Sequence, residues 1–372
     1  MLFCPDPIII GNTMSTVFLN KRINHTDNSD ILYAIEDDNH RRGFIDKNGK
    51  MIVRPQYHNH ISIFSEGLTA VMDSNLMWGY IDMKGKMVIN PQFAFTFGFS
   101  EGLAAVAIGS SFENWKWGYI NKQGKLVINP QYDIGQNFSE GLARVKMHGK
   151  YGFIDNCGNE VISMIFLDAG DFSEGLAPVL INEKWGYIDK TGQMVIEPQF
   201  EEAGKFSEGL APVGFDYKEE LGYGGYGYID KTGKIVIKPQ FEEADIFSEG
   251  LARVSVGGLY GYIDKSGSFA INPQFGARGI YGYFMNGIAC VYYHGKYGYI
   301  DRTGSFVINP QFCTAEDFWG ELTCVEKTEI KGTEIILYEG YINRTGIFVY
   351  KKERERWEKS GKKNDVRIYP TE

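Results

Sequence analysis

The side chains that could do chemistry in this chain are carboxylates that recur at regular intervals and one pair of histidines. The carboxylates belong to a repeated Ser-Glu-Gly tripeptide and to a repeated Gly-aromatic-Ile-Asp phrase. Repeated Asp residues can form a ladder of calcium ligands. One carboxylate per turn, replaced by Asn in two copies, instead favours Asp as a turn cap. His58 and His60 could hold a metal on one face, but without an evident third ligand a surface pair is the better interpretation. We predict no metal site and no cofactor.

No arrangement of residues predicts catalysis. The chain has no Gly-x-Gly-x-x-Gly between a strand and a helix, no phosphate-binding loop and no Gly-x-Ser-x-Gly elbow. The Gly-rich stretch Gly222–Gly227 lies between two predicted strands and indicates a flexible turn. A glycosidase would need two carboxylates facing one cleft, which linear sequence cannot place. We therefore expect a protein that is not an enzyme.

The carboxylates recur because the whole chain is repetitive. Gly-aromatic-Ile-Asp/Asn occurs nine times, starting at Gly43 and ending at Asn343, with successive copies 36, 39, 34, 34, 41, 34, 37 and 42 residues apart. A floor of 34 residues with scattered insertions is typical of solenoids and propellers. Short runs rich in β-branched and aromatic residues predict a meander of three strands per unit and no long helix.

Two parts of the unit are well defined by residue type. Asp-Lys-Thr-Gly or a variant follows each phrase and always ends in Gly, which predicts a turn closed by a left-handed Gly. Pro-Gln-aromatic ends the third strand seven times, and we interpret the Gln as a bracket for backbone groups. The ninth unit lacks this motif and ends at Ile347–Tyr350.

The first strand of the unit, Gly-Leu-Ala-x-Val, indicates which face is buried. The x position accepts Arg and Pro, which predicts a solvated face, so Ala143, Val145, Ala177 and Val179 are expected to point inward. Trp78, Trp117 and Trp185 interchange with Tyr in one slot, which favours core filling over a sugar platform. We predict an all-β fold of about nine three-stranded units in an open, curved solenoid. The open form is preferred because nine units exceed the usual four to eight blades of a propeller. A closed, propeller-like ring is the alternative.

The residues that carry this pattern resemble a known family. Lys184–Gly192, the Val-Ile-x-Pro-Gln-Phe that follows and Phe206–Ala211 are similar to the WG (KWG) repeat, found mostly in bacteria. The resemblance covers roughly residues 31–350 and departs from the pattern where Phe284–Gly287 and Phe318–Glu321 replace Phe-Ser-Glu-Gly. It implies a β-rich scaffold that binds partners, and it brings no catalytic residues.

Bulk composition limits the partners and the compartment. The net charge of −9 and the pI of about 5.4 argue against nucleic-acid binding. No apolar run is long enough to cross a bilayer, and residues 1–20 lack the pattern of a signal peptide. Five cysteines without Cys-x-x-Cys spacing indicate reduced thiols. We expect a cytoplasmic monomer.

Three segments with different roles are predicted. Residues 1–30 have no repeat character, residues 31–350 form the array, and residues 351–372 are a charged tail or a capping helix around Lys351–Lys359. Insertions in the hairpins add aromatic residues that the repeat does not require, and such insertions often gather on a binding face. We predict a scaffold that binds a protein or peptide, with carbohydrate or cell-envelope binding as the alternative. The candidate partner-binding residues are Phe112, Trp115, Tyr217, Tyr223 and Trp319.

Overall fold

The computed structural model describes residues 31–60, 64–218, 223–276 and 282–358, and these ranges are built from β-strands. Apart from one short 3-10 helix, Phe112–Asn114, no helix occurs in them. The strands form small antiparallel sheets that repeat along the chain. The prediction of an all-β fold of tandem meander units is confirmed. The predicted segment 1–30 lies outside the described residues.

The strands group into nine units in chain order. Units 1 to 3 contain β1 (Tyr33–Glu36), β2 (Arg42–Ile45), β3 (Met51–Tyr57); β4 (Asn59–His60), β5 (Leu68–Met72), β6 (Trp78–Asp82), β7 (Met87–Phe93); β8 (Phe95–Thr96), β9 (Leu103–Ile108), β10 (Lys116–Asn121), β11 (Leu126–Tyr132). Units 4 to 6 contain β12 (Ile134–Ser139), β13 (Leu142–Met147), β14 (Lys150–Ile154), β15 (Glu160–Phe166); β16 (Asp168–Ala169), β17 (Leu176–Ile181), β18 (Lys184–Asp189), β19 (Met194–Phe200); β20 (Glu202–Ala203), β21 (Leu210–Lys218), β22 (Tyr223–Asp230), β23 (Ile235–Phe241). Units 7 to 9 contain β24 (Glu243–Ala244), β25 (Ala252–Val256), β26 (Leu259–Ile263), β27 (Phe269–Gly276); β28 (Ile288–Tyr293), β29 (Lys296–Asp301), β30 (Phe306–Phe312); β31 (Thr314–Ala315), β32 (Leu322–Lys331), β33 (Glu334–Asn343), β34 (Phe348–Glu358).

A complete unit has a short strand followed by the three predicted ones. In unit 5 the order across the sheet is β16-β17-β18-β19, so each strand pairs with its neighbour in sequence. Units 7 and 8 are joined into one seven-stranded sheet through the pairing of Gly276 with Tyr292. In the described residues, units 1 and 8 have three strands, while the others have four.

The proline of Pro-Gln-aromatic lies within the last strand of the unit and does not end it. In unit 5, Trp185 pairs with Phe200 and Tyr187 with Ile196, so the register shifts and β19 bulges around Pro198. A bulge removes a ladder bond that proline could not donate. The neighbouring Gln199 donates to the Glu197 carbonyl at 3.2 Å, in agreement with its predicted role as a bracket.

The bulge explains the invariant Gly of Trp-Gly. A Cβ added to Gly186 would lie 2.5 Å from the Ile196 carbonyl oxygen and 2.8 Å from the Pro198 nitrogen. The bulged strand thus presses on a position where only glycine fits. The turn that follows is as predicted, because Asp189 Oδ1 accepts from Thr191 N and Gln193 N, and Gly192 has φ +83°.

Both faces of each sheet are buried, which corrects the prediction of a solvated x face. The four residues predicted to point inward have no exposed surface, as expected: Ala143, Val145, Ala177 and Val179. The opposite face packs on the next unit, so that Leu142, Phe153 and Ile162 of unit 4 contact Ala177, Val179 and Ile188 of unit 5. Arg and Pro are tolerated at x because they lie at the interface between units.

The first and last units pack on each other as neighbouring units do. Leu322, Tyr341 and Tyr350 of unit 9 contact Tyr33, Ile35 and Ile45 of unit 1, position for position the same set as between units 4 and 5. The Tyr341 hydroxyl donates to the Ala34 carbonyl at 2.7 Å, and Lys352 Nζ donates to the Glu36 carbonyl at 2.9 Å. These contacts between residues some 300 positions apart close the array into a ring.

The open solenoid that we preferred from sequence is therefore corrected to its alternative, the propeller-like ring. The variable spacing of the repeats does not prevent the ring from closing. The insertions in the three longest hairpins extend each hairpin away from the sheet faces that pack between units. The short strands form one edge of their four-stranded sheets. Thr96 and Ala169 are buried on these edge strands, whereas alternate residues of the opposite edge, such as Val88, are exposed.

The predicted helix around Lys351–Lys359 is wrong. Residues 348–358 form β34, which pairs along its length with β33. The charges of this segment form ion pairs, with Arg354 on Glu339 at 2.6 Å and Arg356 on Glu334 at 2.9 Å. Ion pairs between neighbouring strands stabilise a sheet, and charged side chains protect an edge strand from further pairing. Residues 359–372 lie outside the described residues.

Candidate interaction site

The two ends of the ring are built differently. Within each complete unit, the Ser-Glu-Gly and Asp-x-x-Gly turns lie at one end, which we call the turn end, because Leu68 pairs with Asp82 beside them. The hairpin between the second and third strands of the unit lies at the other end, which we call the hairpin end. The hydroxyl of the tyrosine that follows Trp-Gly or Tyr-Gly links neighbouring units, because it donates to a backbone carbonyl of the next unit, as Tyr187 does to Gly204 at 2.8 Å.

The three long hairpins all extend from the hairpin end. They belong to units 3, 6 and 9, so they recur at every third position around the ring. The hairpin of unit 9 is the longest of the three. Its strands β32 and β33 are paired from Leu322 opposite Asn343 to Lys331 opposite Glu334. A placement on one end supports the idea that insertions gather on one face.

The hairpin of unit 3 presents aromatic side chains to solvent. Phe112 lies in the 3-10 helix and is 73% exposed, although its ring is 5.2 Å from that of Trp115. Trp115 stacks on Phe95 at 5.8 Å, and Phe95 meets Trp117 edge-on at 6.0 Å. These four residues, the unit 3 aromatic cluster, connect the core to the surface through continuous ring contacts. An exposed phenylalanine on a rigid aromatic base is suited to insertion into a partner's pocket.

The five residues singled out from sequence do not form one surface. Phe112 and Trp115 are in contact, as stated. Tyr217 and Tyr223 lie in β21 and β22 of the unit 6 hairpin, but their side chains are outside the described part of the chain. Trp319 pairs with Leu322 at the turn end, where it is partly buried. The role of all five in binding stays a prediction.

The Trp slot is mainly a core position. Trp78 and Trp117 are 5% and 7% exposed, and Trp185 is partly buried against unit 6. The Ser-Glu-Gly glutamates link neighbouring units. Glu174 Oε2 accepts from Gly209 N of the next unit at 3.0 Å and pairs with Lys231 at 3.2 Å.

These glutamates adopt the left-handed conformation that normally favours glycine. The φ values lie between 54° and 57° for Glu66, Glu101, Glu140, Glu174, Glu208 and Glu249. Each carboxylate accepts from the backbone N–H of the glycine in the corresponding turn of the next unit, which is Ser-Glu-Gly in five cases and Met285-Asn286-Gly287 for Glu249. The inter-unit bonds offset the conformational strain. The sequence signal for these links is the lysine that follows the turn Asp of the next unit, as Lys231 does for Glu174.

A buried polar cluster, also missed from sequence, lies between units 7, 8 and 9. Asp317 is 4% exposed and accepts from Gly282 N at 3.1 Å and Cys290 N at 3.4 Å. Burial raises the pKa of Asp317 to about 6. Arg253 pairs with Asp245 at 2.7 Å. The Asp317 carboxylate satisfies backbone groups where the chain before Phe284 departs from the repeat, so its role is structural.

Within residues 31–60, 64–218, 223–276 and 282–358, no group of three or more His, Cys, Asp or Glu side chains is arranged to hold a metal ion. Within the same ranges, none of the helical structure is long and apolar enough to span a bilayer.

The repeat that defines the ring also matches a family model. The model described as WG containing repeat matches residues 43–76, 78–110, 117–151, 151–185, 185–218, 226–260, 260–297 and 297–328. The chain belongs to the WG-repeat family. No curated protein matches it in sequence.

Solved structures similar to this WG-repeat chain are distant. Hsv2p of Kluyveromyces lactis is 10% identical, with a TM-score of 0.41 over 70% of this chain and 96% of that one. Apo AztD from Citrobacter koseri is 12% identical, with a TM-score of 0.36 over 78% and 92%. The uncharacterized protein lmo1340 from Listeria monocytogenes EGD-e is 12% identical, with a TM-score of 0.37 over 70% and 94%. Similarities of this degree carry no argument about function.

Proposed function

We propose that this WG-repeat ring is a non-enzymatic scaffold that binds a protein or peptide at its hairpin end. The observation that supports the proposal is the unit 3 aromatic cluster, in which Phe112 is exposed on a base of packed rings. Binding hot spots are typically aromatic anchors that fill a pocket of the partner. The proposed partner therefore offers an apolar pocket for Phe112, and the proposed setting is the cytoplasm.

The base of the cluster makes Phe112 a good anchor for a physical reason. Trp115 and Phe95 are held by the core, so little conformational entropy is lost when a partner covers them. The adjacent ion pair between Lys116 and Asp133, at 2.5 Å, provides a polar rim.

A site-specific photo-crosslinker tests the proposal. A photoreactive phenylalanine placed at 112 is expected to capture a discrete partner from the source cell, whereas the same residue at Ile165 is not. Ile165 is the matched control, because it is 63% exposed but lies on β15, on the outer strand of unit 4. The captured complex should weaken by about tenfold in affinity with Phe112→Ala, equivalent to roughly 1.4 kcal/mol.

Equal capture at both positions, or unchanged affinity after Phe112→Ala, would contradict a site at the hairpin of unit 3. Carbohydrate or cell-envelope binding remains the second candidate, and it requires exposed Trp faces. Burial of Trp78 and Trp117 gives that candidate no support at these positions. A glycan array with the intact protein, repeated with Trp115→Ala, separates the two proposals.

A further inference from the structure

In units 3 and 5, a lysine and a carboxylate 17 residues apart form a pair at the hairpin end. The lysine begins the third strand of the unit, and the carboxylate directly follows Pro-Gln-aromatic. Lys116 lies 2.5 Å from Asp133 in unit 3, and Lys184 contacts Glu201 in unit 5. The pair therefore connects the hairpin to the end of the last strand, with opposite charges in contact.

In unit 8 the lysine at the equivalent position contacts a cysteine. Lys296 Nζ lies 3.3 Å from Cys313 Sγ, and Cys313 follows Phe312 just as Asp133 follows Tyr132. Thr328 Oγ1 of unit 9 is 3.7 Å from the same sulfur. The thiol thus occupies the position that an anion takes in units 3 and 5, with the ammonium group kept in place.

The other charged groups near this pair have their own partners. Glu326 of β32 accepts from Thr314 Oγ1 at 3.0 Å, and Lys327 donates to Gln311 at 2.9 Å. On β34, Lys351 binds Glu329 at 2.7 Å. His294, at the tip of the β28–β29 hairpin, is exposed and packs against Tyr293. Lys296 is therefore the cation in direct contact with the sulfur, and a neighbouring ammonium favours the thiolate over the thiol.

We propose that Cys313 is held as a thiolate by Lys296 and is the site at which this protein reacts with hydroperoxides. The thiolate sulfur attacks the terminal oxygen of the hydroperoxide, an S–O bond forms and the O–O bond breaks. The sulfur is oxidised by two electrons to a sulfenate, and the remaining peroxide oxygen leaves as water or an alcohol after taking a proton. The sulfenate carries its charge on oxygen, as Asp133 and Glu201 do, so the ion pair with Lys296 is retained.

The remaining described cysteines provide internal controls. Cys157 is exposed in a turn and contacts Asn156 instead of a cation. Burial, with Asp317 nearby, raises the pKa of the Cys290 thiol, and burial, with Glu316 nearby, raises that of Cys324. Cys290 and Cys324 are therefore expected to react slowly because they are kept as thiols, and the exposed Cys157 serves as the reference for accessibility.

The experiment measures sulfenate formation at each cysteine. The full chain is treated with hydrogen peroxide at pH 7 in the presence of a dimedone-type trap, and each cysteine peptide is quantified by mass spectrometry. An ordinary thiol is only a few per cent thiolate at pH 7, so full ionisation raises the rate of reaction with peroxide about thirtyfold. Lower intrinsic nucleophilicity of a stabilised thiolate offsets about fivefold of this gain. Cys313 should therefore react about five times faster than Cys157, even though it is 8% exposed.

Variants of the lysine separate this chemistry from simple accessibility. K296Q should lower the rate at Cys313 about fivefold and shift its rise with pH toward alkaline values, whereas K296R should restore both. K184Q, which removes the equivalent lysine of unit 5, should leave Cys313 unchanged. A Cys313 rate equal to or below that of Cys157 in the unaltered protein, or an unchanged rate in folded K296Q, would overturn the proposal.

Discussion

Closure of the ring predicts that one turn glycine is more sensitive to substitution than its equivalents. Gly49 and Gly192 occupy the same turn, with φ of +79° and +83°. Alanine at either position has the left-handed strain of an L-residue, roughly 1–2 kcal/mol. A Cβ on Gly192 would lie 3.3 Å from the Ile162 side chain, which can move, whereas one on Gly49 would lie 2.6 Å from the Val349 carbonyl oxygen. Because Val349 belongs to unit 9, the second contact exists only in a closed ring.

The expected loss of unfolding free energy is about 1–2 kcal/mol for Gly192→Ala and about 2–5 kcal/mol for Gly49→Ala, where overpacking against backbone adds roughly 1–3 kcal/mol. Gly67→Ala measures the strain alone, since Gly67 has φ +84° and nothing within 4 Å of an added Cβ. Urea unfolding measures all three, with the slope m compared to confirm that the unfolding transition is the same. Hydrogen exchange should show lost protection in residues 31–45 and 348–350 for Gly49→Ala alone. Equal losses for Gly49→Ala and Gly192→Ala would show that units 1 and 9 do not meet.

Three further outcomes are expected. Gly79→Ala should lower the free energy of unfolding, measured in urea, by about 3 kcal/mol or more, because the added Cβ would lie 2.4 Å from the Ile89 carbonyl oxygen. A loss smaller than that of Gly67→Ala would contradict the bulge. Glu174→Ala should lose about 1–2 kcal/mol, since it keeps the φ of 55° without the bond to the next unit, whereas Glu174→Gly should lose less by relieving the strain; equal losses would refute the strain argument. The pKa of Asp317 is about 6 in the folded chain, which is above its value in the unfolded chain. Between about pH 4 and 6 the folded chain therefore keeps a proton on Asp317 that the unfolded chain has lost. The free energy of unfolding is expected to fall as pH rises through that range. Unfolding free energies at pH 4.5 and 7 should show this decline in the unaltered protein and less of it in Asp317→Asn, and identical profiles would exclude Asp317 as the titrating group.

Features that depend on local backbone sterics could be predicted from the sequence. The turn glycines, of which Gly192 is one, follow from the left-handed conformation that closes the hairpin, and the capping Asp189 follows from its bonds to the next residues. Burial of Ala177 and Val179 follows from strand alternation. The contact between Lys296 and Cys313 could not be predicted from the sequence, because the two residues are 17 positions apart. They lie close together only because strands β29 and β30 pair.

Tertiary structure alone decided how the units are arranged and what the ends of the array do. Whether nine units form an open stack or a ring depends on the small rotation between successive sheets. Every interface contributes to that rotation, and no single residue type reveals it. The same holds for Glu174, whose strained turn makes sense only with Gly209 of the next unit beside it, and for β34, where opposite charges on β33 select strand over helix. The sequence by itself determined the repeat, its strands and its turns, because those depend on contacts within one unit. The ring, its links and its reactive cysteine depend on contacts between units, and these exist only once the chain has folded.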